Sequence, residues 1–261
     1  MDTLTLGVLA SLLAGLATGL GALPILFFKQ IPPRLVNTML GAAAGVMLAA
    51  TSFSLIVPGI EYGNDLWPGW GVYVVMGGML IGAVFLDRID NWLPHEHFAV
   101  QREGTSSIGK EGPETQLKRI WLFIIAIAIH NFPEGLAVGV AFGTGDLGGA
   151  VSLAIGIGLQ NMPEGLAVAL PLVGLGYSRW RAIGYATLTG LVEPVGGLLG
   201  VVSVTVFQQI LPLGLAFAAG AMLFVISDEI IPETHSKGKS RIATFGVMIG
   251  FVIMMALDNL L

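Results

Sequence analysis

The chain has 261 residues, of which 54% are hydrophobic and 11% charged, with a formal net charge of −5 and no cysteine. So apolar a composition, with a mean hydropathy of +0.83, excludes an ordinary soluble domain and describes a polytopic membrane protein. The absent thiols remove disulfide and thiolate chemistry, so any metal held here must use nitrogen, oxygen or thioether sulfur, and no nucleic-acid partner is expected.

A hydrocarbon core of ~30 Å, crossed at ~1.5 Å per helical residue, is matched by eight apolar runs: 5–28, 35–57, 70–92, 120–142, 149–174, 181–207, 211–231 and 241–261. The first follows Met1-Asp2 without a basic stretch and is expected to be a retained span rather than a cleaved leader. The second contains AAGVML (43–48). After the third comes the one long polar segment, 93–119, expected to be a cytoplasmic loop, so that residues 1–261 form a single transmembrane domain. The fourth and fifth carry HNFPEGLAV (130–138) and QNMPEGLAV (160–168), the sixth carries GLVEP (190–194), and the seventh carries AAGAML (218–223) followed by SDEIIPETH (227–235).

Basic residues set the orientation. Lys29 and Arg34 follow span one; Arg88, Arg102, Lys110, Lys118 and Arg119 surround the long loop; Arg179 and Arg181 follow span five; Lys237, Lys239 and Arg241 follow span seven. With eight spans all of them fall on one side, which the positive-inside rule makes cytoplasmic, leaving both termini outside. The opposite face carries Asp2, Glu61, Asp65, Asp146 and Asp258 without a base. Such a mouth concentrates cations, although the exclusion of Lys and Arg from an outer face would leave the same acids.

Spans two and seven, and spans four and five, run in opposite directions. Their paired motifs therefore imply an all-α protein of eight helices in a three-plus-two-plus-three order with inverted halves, an arrangement that transporters use to place a site at the midplane.

His130 and Glu134 are four residues apart, as are Gln160 and Glu164, so each pair shares a helix face. Both faces are expected to turn towards each other and away from lipid, with Pro133 and Pro163 freeing the carbonyls of Ile129 and Leu159. Counted from the cytoplasmic ends, Met47, His130, Glu164 and Glu193 all lie ~15–18 Å deep. No Lys or Arg stands at that depth to neutralise Glu134, Glu164 or Glu193, so the balancing charge is a proton or a bound cation. Protonated glutamates would serve a proton path. The mixture of imidazole, three carboxylates, carboxamides and a thioether suits a borderline divalent ion such as zinc, iron, manganese or cadmium. Ser54, Glu61 and Asp258 mark an expected entrance. Asp228, Glu229, Glu233 and His235, with His95 and His97 of the loop, mark an expected exit, although for the two loop histidines a solvated surface explains the pattern equally well.

At HNFPEG, QNMPEG, GLVEP and SDEIIPETH the sequence resembles the ZIP (Zrt-, Irt-like) family of divalent-metal transporters, in particular its bacterial GufA-type branch. The resemblance implies eight spans with both termini outside, a bacterial inner-membrane location, homodimers, no resident cofactor, and movement of zinc and related metals towards the cytosol. It further implies a binuclear centre. One cation would take Met47, His130, Glu134, Gln160 and Glu164; the other would take Asn131, Asn161 and Glu193 with the same two glutamates as bridges. Asn161 departs from the aspartate of some relatives. A metal-selective channel is the alternative within transport. An intramembrane metalloenzyme is a more distant one, since HExxH is absent.

Overall fold

A computed structural model describes residues 2–28, 30–92, 113–235 and 240–261. Among them there is no strand. The elements are α1 (Thr3–Ala22), α2 (Pro24–Phe27), α3 (Pro33–Ala49), a π-helical segment (Ala50–Ile56), α4 (Val57–Leu66), α5 (Gly71–Trp92), α6 (Pro113–Gly143), α7 (Leu147–Gly174), α8 (Arg179–Gly190) and α9 (Glu193–Val206). A short 3-10 turn (Gln208–Ile210), α10 (Leu211–Val225), a second π-helical segment (Ile226–Ile230), α11 (Ile231–His235) and α12 (Ser240–Leu260) complete the chain.

Among the described residues eight helical stretches are long and apolar enough to cross a membrane, the number expected from the sequence. Their limits differ from expectation where the backbone departs from a plain α-helix. The second stretch runs on to Leu66, because the π-helical segment carries the chain without a break into α4, whose second residue is Pro58. The sixth is divided at Leu191–Val192, with Pro194 in the first turn of α9. Pro133 and Pro163, by contrast, lie inside α6 and α7, which continue through them.

Helix starts use short polar caps where water is near. Asp2 accepts from Thr5 N–H at 2.8 Å, Asp146 from Gly149 N–H at 3.2 Å, and Ser178 from Arg181 N–H at 3.4 Å. The turn between α6 and α7 is only Thr144-Gly145-Asp146, made possible by the positive φ of Gly145 (87°). So short a connection makes the two motif helices antiparallel and sets His130 and Gln160 at equal distance from the turn, near the midpoints of their apolar stretches.

Glycines fix the remaining packing by letting backbones touch. A Cβ at Gly135 would fall 2.0 Å from the Glu193 carbonyl oxygen, and one at Gly165 would fall 1.7 Å from that of Thr18. Between α3 and α12, Gly45 meets the Val247 carbonyl and Gly250 that of Ala42; between α10 and α5, Gly220 meets that of Met79 and Gly82 that of Phe217. Gly15 of α1 and Gly190 of α8 press on each other's carbonyl oxygens.

Candidate metal centre

The residues singled out from the sequence converge in the interior. Met47, His130, Asn131, Glu134, Gln160, Asn161, Glu164 and Glu193 are all buried, none more than 4% exposed. They come from four of the membrane-crossing stretches, and the amphipathic spacing explains how. Each polar pair lies on one face of α6 or α7, and those faces are sealed by the packing of α6 on α9 and α7 on α1 and α3.

An ion-pair contact and a hydrogen-bonded group divide the site. On one side His130 Nε2 lies 2.8 Å from Glu229 Oε1, and Glu164 stands within electrostatic reach of both. On the other, Gln160 Nε2 donates to Asn161 Oδ1 at 2.7 Å, while Asn161 Nδ2 donates to Ala14 O at 2.8 Å and to Glu193 Oε1 at 2.5 Å. Glu193 owes its place to the break before it: as the first residue of α9 it sits where unpaired backbone N–H groups favour a carboxylate. Glu134 neighbours Gln160, Glu164 and Glu193.

Many donor atoms are unspent. Both oxygens of Glu134, both amide atoms of Asn131, Gln160 Oε1, Glu164 Oε2 and Glu193 Oε2 are buried without a hydrogen-bond partner among the described residues. Such groups are costly in an apolar layer unless a cation or proton balances them. As arranged, no three His, Asp or Glu side chains among the described residues close on one point at ligand spacing. The donors are buried as neighbours without forming a finished shell.

The expected entrance and exit residues fare differently. Ser54 Oγ donates to Asp258 Oδ1 at 2.6 Å, and both line a cavity of about 250 Å³ with Tyr62, Thr144 and Asp146. Glu61 is exposed on α4, outside that lining. Asp228 is exposed on the second π-helical segment, whereas its neighbour Glu229, expected at the inner mouth, reaches into the centre. Glu233 and His235 belong to α11, and their side chains lie outside the described residues, as do His95 and His97 altogether. Glu229 follows AAGAML as Ser54 follows AAGVML, a correspondence that points to a mouth rather than to the centre.

The family model described as ZIP zinc transporter matches residues 94–258, well over half the chain. The chain is similar to zinc transporter GufA of Myxococcus xanthus, 45% identical over 97% of each chain. It is also similar to zinc transporter ZIPB of Bordetella bronchiseptica, 44% identical over 94% of this chain and 78% of that protein, and to human zinc transporter ZIP11, 36% identical over 92% and 93%. With a buried polar layer inside eight apolar helical stretches and relatives of this similarity along almost its whole length, the chain belongs to the ZIP family of transporters.

Proposed function

We propose that this protein carries zinc, and with lower preference cadmium, iron and manganese, across the bacterial inner membrane towards the cytosol, through the mid-membrane centre. The relatives are named as zinc transporters. The observation that carries the reading for this chain is the set of buried, unpartnered carboxylate and carboxamide atoms on Glu134, Glu164, Glu193, Asn131 and Gln160, at a depth where no Lys or Arg stands. Met47, His130, Glu134, Gln160 and Glu164 would hold one cation; Asn131, Asn161 and Glu193, sharing Glu134 and Glu164, would hold the second. Asn161 is already bonded on both amide atoms, so the second cation is the weaker bound, and the His130 site carries the transported ion.

An ion can use His130 Nε2 only by displacing Glu229 from it or by taking Glu229 as a ligand as well. Glu229 is therefore the next ligand on the cytoplasmic side, and Ser54 with Asp258 the first on the outer side. An inverted two-fold relation between the halves belongs to the same proposal. It is supported by contacts that exchange in pairs: Gly135 on Glu193 with Gly165 on Thr18, Gly45 on Met79's counterpart Val247 with Gly220 on Met79, and the reciprocal Gly15 and Gly190. Termini on the outer side and assembly as a homodimer complete it.

The test is competitive uptake of Zn²⁺, Cd²⁺, Fe²⁺ and Mn²⁺ into proteoliposomes, with and without a pH gradient. Saturable uptake of zinc is expected, declining as pH falls from ~7 to ~5, because metal ligands must be deprotonated to bind. Glu134→Gln and Glu164→Gln should each lower it about 100-fold or more. Uptake that rises steadily on acidification, or survives either substitution, would sink the proposal.

A further inference from the structure

Between the outer cavity and the mid-membrane layer lie two hydroxyls that the centre described above does not use. Thr51 is 2% exposed and Ser152 is fully buried, and neither oxygen has a hydrogen-bond partner among the described residues. Thr18 on α1 is the other buried hydroxyl without a partner among the described residues; several further helical hydroxyls behave differently. Thr38, Ser52 and Thr187 each bond back to the carbonyl four residues earlier, at 2.8–2.9 Å.

Both hydroxyls stand at one level. α3 and α7 pack together and run in opposite directions. Val46 Cγ1 lies 3.5 Å from where a Gly156 Cβ would be, and Ser54 shares the outer cavity with Gly149 and Ala150. Between the Val46–Gly156 contact and the cavity that Ser54 shares with Gly149, Thr51 comes to about the level of Ser152. On α7, Ser152, Gly156, Gln160 and Glu164 recur every fourth residue and so share a face; on the facing stretch Met47 lies near the end of α3 and Thr51 in the π-helical segment that continues it. Both hydroxyls thus stand between the residues of the Ser54–Asp258 cavity and the level of Met47 and Gln160. At Gly156, one turn below Ser152, the Met254 sulfur fills the seam, 2.3 Å from the site of the missing Cβ.

We propose that Thr51 and Ser152 form a hydroxyl way-station. Their oxygens replace part of the hydration shell of a divalent cation as it passes from the outer cavity to the mid-membrane centre, once α3 and α7 part around Met254. The proposal rests on the transport reading of that centre. Neutral hydroxyls suit the task, because they substitute for water without adding charge and so do not trap the ion. Hard, tightly hydrated ions gain more from such oxygen ligands than softer ones.

The test is initial uptake of Mn²⁺, Zn²⁺ and Cd²⁺ into proteoliposomes by the double variant Thr51→Val/Ser152→Ala and by each single variant, with calorimetric Zn²⁺ binding on the same proteins in detergent. The expected result is a loss of about tenfold or more in kcat/KM for Mn²⁺ and Zn²⁺, a smaller loss for Cd²⁺, and unchanged Zn²⁺ affinity. Thr51→Ser and Ser152→Thr should retain transport of all three ions. Unchanged uptake by the double variant overturns the inference, since the hydroxyls then only pack or bind structural water. An equal loss for all three ions overturns it too, because selectivity then does not pass through oxygen ligation. If wild-type protein moves none of the ions, it is the transport reading that fails, and the way-station with it.

Discussion

Asn161 shows how much one amide can hold in place. It receives the Gln160 amide and gives its own N–H groups to Ala14 and Glu193, so it ties α7 to α1 and α9. In Asn161→Asp the donor is lost, and a carboxylate faces Glu193 and a carbonyl oxygen. Without metal the variant should be less stable by ~1–3 kcal/mol; with Zn²⁺ it should gain more in melting temperature than wild type does, because the added charge completes a cation site. Thermal unfolding in detergent with and without Zn²⁺ checks this, and identical metal-induced shifts in both proteins would contradict it. His130→Ala removes the one imidazole of the centre and the partner of Glu229. Zn²⁺ uptake should fall more than Mn²⁺ uptake, since imidazole favours the borderline ion; a uniform loss in a competition assay would assign His130 a purely structural role. Most of this layer was legible in the repeated HNFPEG and QNMPEG, because polar groups in an apolar run have only each other to face. Glu229 was not placed there by counting. A π-helical segment lodges an extra residue in the span and redirects the side chains after it, and no residue in SDEI announces that.

At the scale of elements, close helix contacts depend on having no side chain at particular points. Gly165→Ala would drive a Cβ into the Thr18 carbonyl, 1.7 Å away, whereas Gly77→Ala on α5 would meet nothing within 4 Å. The first should cost ~1–3 kcal/mol, and the second should be neutral or stabilising by ~0.5–1 kcal/mol through its helix propensity. Comparative melting curves of the two variants in one detergent test the contrast; equal shifts would mean that α1 and α7 can part freely at this contact. The eight stretches were readable from hydropathy alone, because length and apolarity are all that a bilayer demands of a span. The division at Leu191–Val192 was not. Prolines were visible at 133, 163 and 194, yet only the last lies at a helix start, and tertiary packing rather than the presence of proline decided which.

For the molecule as a whole, the charge distribution gives an orientation that can be checked directly, since the chain has no native cysteine. Cysteine placed at Asn259 should react with a membrane-impermeant maleimide added outside intact cells, whereas cysteine at Arg88 should react only after lysis; the opposite pattern would invert the proposed topology. The three-residue turn between α6 and α7 also bears on how the protein is made. The stretch Leu147–Gly174 has the lowest mean hydropathy of the eight, 1.2, and its centre holds Gln160, Asn161 and Glu164. A single buried charge weighs ~2.5–3.5 kcal/mol against partitioning from the translocon, so α7 alone is a reluctant passenger. Joined to α6 by Thr144-Gly145-Asp146, it need not leave alone. The two helices can enter lipid as one hairpin, each shielding the other's polar face, so that His130, Asn131, Glu134, Gln160, Asn161 and Glu164 reach the interior in one step before Glu193 follows on the sixth stretch.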